Sequence, residues 1–255
     1  MAALTFQEVQ MQIQFVGCGD AFGSGGRFNA CFHVTGHEVN FLLDCGASSL
    51  VALKSHRIRL RDINLILITH FHADHFGGIP FFMLDAQFSK REEPLTVAGP
   101  PGLKTWYKRV METAFPGSSE TTQRFELLLE ELSPRIKRNL DGIMVTPFPV
   151  IHGSPAGAFY AYRVEAEGRT IAYTGDTEWT DELIDAGRDA DLFIAEAYSF
   201  EKKIRMHLDL TTLLKHLPTI RPKCLVLTHM SNDMLSRLDK IAVEFAEDGK
   251  TLVIP

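Results

Sequence analysis

A chain of 255 residues with 45% apolar side chains can bury a substantial core, and one domain over residues 1–255 is expected, with 1–10 as an N-terminal extension. A net charge of −6 and a pI near 5.9 argue against a general polyanion-binding surface, while leaving room for a local basic patch that holds a small phosphate. No apolar run reaches the ~20 residues of a membrane helix, and the N-terminus lacks the basic start and apolar block of a signal peptide, so a soluble cytoplasmic protein is expected. Cys18, Cys31, Cys45 and Cys224 sit in apolar, strand-like contexts without a CxxC pair, as small core residues do in a reducing compartment.

Met11 to Val16 alternates polar and apolar residues with the period of a half-buried strand and ends at the turn Gly17-Cys18-Gly19-Asp20. Gly23 to Asn29 is a glycine-rich loop that reads equally as a plain connection or as a place where backbone amides approach an anion. Ala30 to Val34 and Val39 to Leu43 are expected strands. The second closes on Asp44, which has no metal spacing of its own and reads as a structural or supporting carboxylate. Ser48 to Lys54 is expected as a short helix, and the alternating Arg57, Arg59 and Arg61 as a solvated face rather than a substrate clamp.

The apolar run Ile63 to Ile68 launches Thr69-His70-Phe71-His72-Ala73-Asp74-His75-Phe76-Gly77-Gly78, which packs three imidazoles and one carboxylate into six residues. In extended backbone, residues two apart point the same way, so His70 and His72 can close on one ion from one side. A turn into helix at Phe76 then swings Asp74 and His75 toward a neighbouring position, a geometry that suits two metals. Imidazole and carboxylate donors without a nearby thiolate favour Zn, Mn or Fe over a Cys-rich structural zinc site. The competing reading is a polar loop whose histidines merely hydrogen-bond.

Ile79 to Phe88 reads as a helix and Leu95 to Ala98 as a strand. Gly99-Pro100-Pro101-Gly102 breaks the chain before two expected helices, Leu103 to Phe115 and Thr121 to Glu131, which would roof the site, with Trp106, Tyr107 and Phe115 as core aromatics. In the second half, Gly142 to Phe148 leads to His152, just past an apolar run. Phe159 to Val164 and Thr170 to Tyr173 are strands, the latter ending in Thr174-Gly175-Asp176-Thr177. Asp191 to Ala195 ends in Glu196, and Cys224 to Leu227 runs into Thr228-His229, an echo of Leu65 to His70 that suggests two related halves. Helices at Thr180 to Gly187, Leu210 to Leu217 and Asp233 to Phe245 alternate with these strands, which gives an α/β layered sandwich.

The set Thr69-His70-x-His72-x-Asp74-His75, His152, Gly175-Asp176-Thr177 and Thr228-His229, in that order over nearly the whole chain, resembles the metallo-β-lactamase superfamily. The resemblance implies a four-layer αβ/βα sandwich with a dinuclear site between its sheets. By motif, His70, His72 and His152 would hold one metal and Asp74, His75 and His229 the other, with Asp176 bridging and zinc favoured over Mn or Fe. Phe15 to Gly19, Val97 to Gly102, Tyr173 to Thr177 and the spacing of Glu196 and His207 before His229 look most like ribonuclease Z and its phosphodiesterase relatives. In that branch the glutamate and histidine form a proton-transfer pair, here Glu196 and His207, although the flanking residues depart from the usual His-Glu-Ala-Thr and His-Ser-Thr. The competing reading of the two is a buried carboxylate and a surface histidine.

The chain also departs from the tRNA-processing members. Only a hairpin-sized segment separates His152 from Asp176, so their tRNA-gripping arm is missing, and Arg27 and Asn29 of the substrate loop are split by Phe28 with no proline. A small or cyclic phosphodiester cleaved by a hydroxide that the two metals activate is therefore expected, with Asp74 orienting it and tRNA disfavoured. Lys202, Lys203 and Arg205 either assist the phosphate or form a solvated basic run. The alternatives are a carboxyl-ester, thioester or lactone hydrolase on the same metals, a ribonuclease Z-type tRNA 3′ endonuclease, and a non-catalytic binding module. Flavodiiron-type redox chemistry is disfavoured because His72 stands where that branch has glutamate. A homodimer accords with the ribonuclease Z resemblance, and no membrane partner is expected.

Overall fold

The computed structural model describes residues 10–153 and 158–255. The expected N-terminal extension, apart from Gln10, lies outside the described residues. In chain order the elements are β1 (Gln12–Gly17), β2 (Cys31–Thr35), β3 (Asn40–Leu43), α1 (Ser49–Ser55), β4 (Leu65–Leu67), α2 (Ala73–Phe76), α3 (Ile79–Phe88), β5 (Leu95–Gly99), α4 (Leu103–Ala114), β6 (Leu127–Glu131), β7 (Arg138–Leu140), β8 (Ile143–Pro149), β9 (Tyr160–Ala166), β10 (Arg169–Tyr173), α5 (Glu182–Gly187), β11 (Leu192–Glu196), α6 (Leu210–Ile220), β12 (Cys224–Thr228), α7 (Asn232–Leu235), β13 (Glu244–Phe245) and β14 (Thr251–Val253).

The strands form two seven-stranded sheets, ordered β14-β1-β2-β3-β4-β5-β6 and β13-β12-β11-β10-β9-β8-β7. Each begins antiparallel and becomes parallel: β3 to β6 run parallel in the first sheet, β10 to β13 in the second. This shared plan matches the echo between Leu65 to His70 and Leu225 to His229.

Alternation along the strands explains the layers. Phe15, Phe32, Leu65 and Leu67 meet Tyr162, Tyr173, Ile194 and Val226 in a core between the sheets. Side chains on the opposite strand faces, such as Val16 and Ile66, pack under Leu53, Phe82 and Tyr107 of α1, α3 and α4. Ala172 and Phe193 pack under Leu183 and Leu213 of α5 and α6. The result is the expected αβ/βα sandwich, in which each fully buried Phe or Leu contributes roughly 1.5–3 kcal/mol of transfer free energy. Among the described residues no helix is long and apolar enough to cross a membrane.

Two expected helices differ. Thr121 to Glu131 is not helical: a 3-10 turn at Ser118–Glu120 precedes it, and its second half is β6, which pairs in parallel with β5 from Leu95↔Leu127 to Gly99↔Glu131. A Leu- and Glu-rich run favours helix by propensity, but the open edge of the first sheet offers hydrogen bonds and a cluster that takes Leu127 and Leu129, so tertiary context wins. Asp233 to Phe245 is α-helical only to Leu235, with a 3-10 turn at Leu238–Lys240, and Glu244–Phe245 instead extends the second sheet beside β12. The short strands β7 and β14 carry too few residues for a period to show. β14 lies antiparallel to β1, so the C-terminal segment closes the edge at which the first strand stands.

Candidate metal centre

Parallel strands aligned side by side end at one edge, and the polar residues that follow them converge there, as ligands do in open α/β sheets. His70 lies beyond β4, Asp176 beyond β10 and His229 beyond β12, while Glu196 is the last residue of β11. α2 turns Asp74 and His75 back toward the same edge, and the β8–β9 connection brings His152. Gly175 is needed at its place: φ is +58°, and a Cβ there would stand 2.9 Å from the Tyr160 carbonyl oxygen and 3.0 Å from Thr69 Cβ. Gly46 lets the α2 segment dock, since its Cβ would lie 2.1 Å from the Asp74 carbonyl oxygen.

All seven residues expected to hold metal come together. Donor atoms of His70, His72 and His152 fall within 4.8 Å of one another, as do those of Asp74, His75, Asp176 and His229. Asp176 stands between the groups: Oδ1 is 3.2 Å from His75 Nε2, and Oδ2 is 3.1 Å from His229 Nε2 and 3.4 Å from His152 Nε2. His72 Nδ1 and His152 Nε2 are 3.1 Å apart. Donors that share a tetrahedral zinc at 2.0–2.1 Å are separated by roughly 3.3 Å, so these spacings suit convergence on ions. Buried His70 Nε2, His75 Nε2 and Asp176 Oδ1 have no hydrogen-bond partner, an arrangement costly in a purely structural polar cluster and natural for donors aimed at a cation. The residues therefore fit divalent metal.

Electrostatics agree. Burial, reinforced by neighbouring His75, holds His70 well below the ordinary histidine range, and burial lowers His72 and brings His152 to about 4. These rings are neutral near pH 7 and keep a lone pair for a ligand bond. Burial also opposes charge on His75, but Asp176, Asp44 and Asp74 outweigh it and hold that imidazole well above its usual value. Burial would raise Asp176, yet His229 and His75 keep its carboxyl well below the usual carboxylate range.

The supporting contacts identify Asp44 as the carboxylate beneath the site. It is completely buried at φ +60° and accepts from His75 Nδ1 at 2.7 Å, the Thr69 amide at 2.8 Å, the Thr69 hydroxyl at 2.9 Å and the Tyr173 hydroxyl at 3.0 Å. It fixes the ring orientation of His75, as outer partners of ligand histidines do. Asp44→Ala strands these donors in the core and is expected to destabilise the metal-free protein by about 3 kcal/mol. Urea unfolding measures this, and an unchanged midpoint would contradict it.

Beside the metal group, Glu196 and His207 form the expected pair: His207 Nδ1 bonds Glu196 Oε1, and Glu196 Oε2 accepts from the amides of Thr177 at 2.9 Å and Leu208 at 3.1 Å. Glu196 is fully buried and His207 partly so, which rules out a loose surface histidine. Burial pulls His207 down, but the Glu196 hydrogen bond and charge outweigh it and hold the imidazole above its usual value. Tyr198, not singled out by sequence, stacks on His207 at 4.3 Å with the planes 22° apart.

The loops settle other readings. In the glycine-rich loop, Asp20 takes the amides of Phe22 and Ser24, and Asp248 takes that of Phe28, so the chain's own carboxylates fill these donors. Arg27 donates to the Ala246 carbonyl at 2.9 Å, and Asn29 is tied to Ser48 and Asp20, so both act in packing. Arg59 pairs with Asp62 while 73% exposed, as a solvated face does. Lys203 is held by Asp209 and Thr212, and the Lys202 carbonyl accepts from Ser199. Arg205 lines a cleft of about 460 Å³ that also borders Glu178, Trp179 and His207. All four cysteines are free.

Known proteins are similar to this chain in sequence or fold. Ribonuclease Z of Bacillus subtilis is 26% identical over 264 residues, covering 80% of this chain and 83% of that protein. Human tRNase Z, short form (ELAC1), superposes with a TM-score of 0.78 at 24% identity over 96% of this chain and 99% of that one. A diphosphatase from the PhnP family superposes with a TM-score of 0.74 at 20% identity over 95% and 97%. The two structures carry the fold. The family described as Anti-Pycsar protein Apyc1 matches residues 11–252, so the chain belongs to that family and is a ribonuclease Z-like, metal-dependent hydrolase of the metallo-β-lactamase fold.

Proposed function

We propose that the chain is a phosphodiesterase acting on a small or cyclic phosphodiester, with two divalent cations, zinc foremost, between the sheets. His70, His72 and His152 would hold one ion and Asp74, His75 and His229 the other, with Asp176 placed to serve both groups. The observation that carries the choice of phosphorus over a carbonyl is the buried Glu196–His207 pair beside this donor group. When bound, the ions supply Lewis-acid polarisation of the phosphoryl oxygens and activation of water near neutral pH.

The chain's own residues do the rest. Asp74 and Asp176 orient the attacking water. His207, its Nδ1 engaged by Glu196, presents Nε2 to the leaving oxygen and donates a proton as the P–O bond breaks. Glu196 fixes the tautomer and stabilises the imidazolium.

The short His152 to Asp176 connection, whose described part is the β9–β10 hairpin, supports a small substrate over tRNA. A tRNA 3′ endonuclease stands as the second reading because relatives 24–28% identical over most of the chain are named ribonuclease Z. The inter-sheet core and a site built by both halves support one domain, and four free cysteines support a cytoplasmic setting. The ribonuclease Z resemblance favours a homodimer.

The test is a substrate panel on metal-loaded protein. Turnover of bis(4-nitrophenyl) phosphate is expected to exceed that of thioester and lactone substrates by about a hundredfold, equivalent to roughly 2.7 kcal/mol of transition-state preference. Faster thioester or lactone hydrolysis overturns the assignment, and cleavage of tRNA precursors in preference to small diesters favours the second reading.

A further inference from the structure

His207 and His152 sit on separate loops, yet their spacing governs whether a proton donor meets the oxygen that leaves a phosphate held beside His152. A closed ring of bonds sets that spacing. His152 Nδ1 donates to the Met206 carbonyl at 2.7 Å, and Met206 is joined by its peptide to His207. His207 bonds Glu196, whose other oxygen accepts from the Thr177 amide. The Thr177 hydroxyl accepts from the Ile151 amide at 3.0 Å and donates to the Glu178 carbonyl at 2.6 Å. Ile151 precedes His152, and the ring is closed.

Two members are conformationally special. Thr177 is completely buried, so its hydroxyl has no water to fall back on. Met206 adopts φ +70° at the third position of a turn that the His207 amide closes on the Ile204 carbonyl at 3.1 Å. Glycine is the usual occupant there, and a non-glycine residue in this region near a site points to a conformation that the surroundings impose.

We infer that Thr177 is a positioning residue for the His207 proton donor: its amide orients Glu196, and its hydroxyl ties the His152 strand end to the same carboxylate. This rests on the reading of His207 as general acid. Thr177→Val keeps the volume, removes the hydroxyl and leaves the Ile151 amide without its acceptor. The His152 end of the ring then keeps only the bond from the Glu178 amide to the Ile151 carbonyl and that from His152 to Met206, so its spacing from His207 is less tightly set. A poor leaving group needs its proton most, so it suffers most from the looser spacing.

The experiment compares wild type, T177V and T177S on bis(4-nitrophenyl) phosphate and on diphenyl phosphate, whose phenoxide is the poorer leaving group. T177V is expected to lower kcat on diphenyl phosphate about tenfold, with a much smaller loss on the nitrophenyl ester and KM unchanged. T177S keeps the hydroxyl and is expected to restore both rates. In metal-free protein, the downfield imidazole N–H signals of His152 and His207 are expected to broaden in T177V and return in T177S. If T177V does not fold, Thr177→Ala removes the same hydroxyl with a smaller side chain and is expected to give the same selective loss. Equal losses on the two esters, or imidazole signals and rate ratios that match wild type while His207→Ala is impaired, overturn the inference. Failure of the general-acid reading looks different: His207→Ala then loses nothing, or loses equally on the two esters.

Discussion

Asp176→Ala is expected to cut diester turnover about a thousandfold and to lower bound metal, with the fold retained. Among the described residues Asp176 is the one carboxylate whose oxygens approach imidazoles of both candidate metal groups, within 3.1–3.4 Å of His75, His152 and His229. Its charge survives burial because His229 and His75 stabilise it, so a full negative charge is available to two cations at once. Removing it takes several kcal/mol from the electrostatics that hold the ions and steady the transition state, and each 1.36 kcal/mol is a factor of ten in rate. The hydrophobic core between the sheets lies below this edge and loses nothing. Metal analysis by mass spectrometry together with diester assays checks the expectation. Chelator-treated wild type should behave like the variant and, unlike it, recover on addition of zinc. A variant that kept both its metal and its rate would remove Asp176 from the centre.

The polar end of the molecule was far more legible in the sequence than its edges. His70, His72, Asp74 and His75 stand together because a strand end and a short helix place them, and both leave local signals, an apolar run before and glycines after. Asp176 and His229 are distant in sequence, but each follows its own apolar strand, so their convergence needed only the parallel packing that such strands imply, while His152 arrives on the connection between the antiparallel β8 and β9. Thr121 to Glu131 and Asp233 to Phe245 were misread because their strand pairing is won by an open sheet edge, which no local pattern reveals. The Met206 carbonyl on His152 and the Tyr198 ring on His207 were invisible for a different reason. A backbone acceptor has no residue type, and a tyrosine that packs on a histidine looks like any core aromatic. The Asp248 carboxylate that takes the Phe28 amide of the glycine-rich loop comes from the far end of the chain, a pairing that only the fold creates.

His207→Ala carries the sharpest test of the chemistry. A positioned general acid is worth about 10²–10⁴-fold when the leaving group is basic, and far less when the departing anion is already stable. The variant is therefore expected to lose about a hundredfold or more on diphenyl phosphate, less on bis(4-nitrophenyl) phosphate, and no metal. Direct measurement of the two kcat ratios decides it, and equal ratios would exclude proton donation from this residue. The pH profile supplies an independent reading. Activity needs His207 protonated, so it is present below the pKa of this imidazole and lost as pH rises through it. Burial alone would move that loss to lower pH, but the Glu196 bond outweighs burial, so the basic limb of kcat belongs above the ordinary histidine value of about 6.5. Glu196→Gln keeps the shape and removes the charge that holds the proton, so the limb is expected to move to lower pH while the diphenyl phosphate rate falls with it. Because Glu196 and His207 are hydrogen-bonded in a buried contact, the limb reports the pair, and a shift in the opposite direction would mean that Glu196 serves the metals rather than the acid.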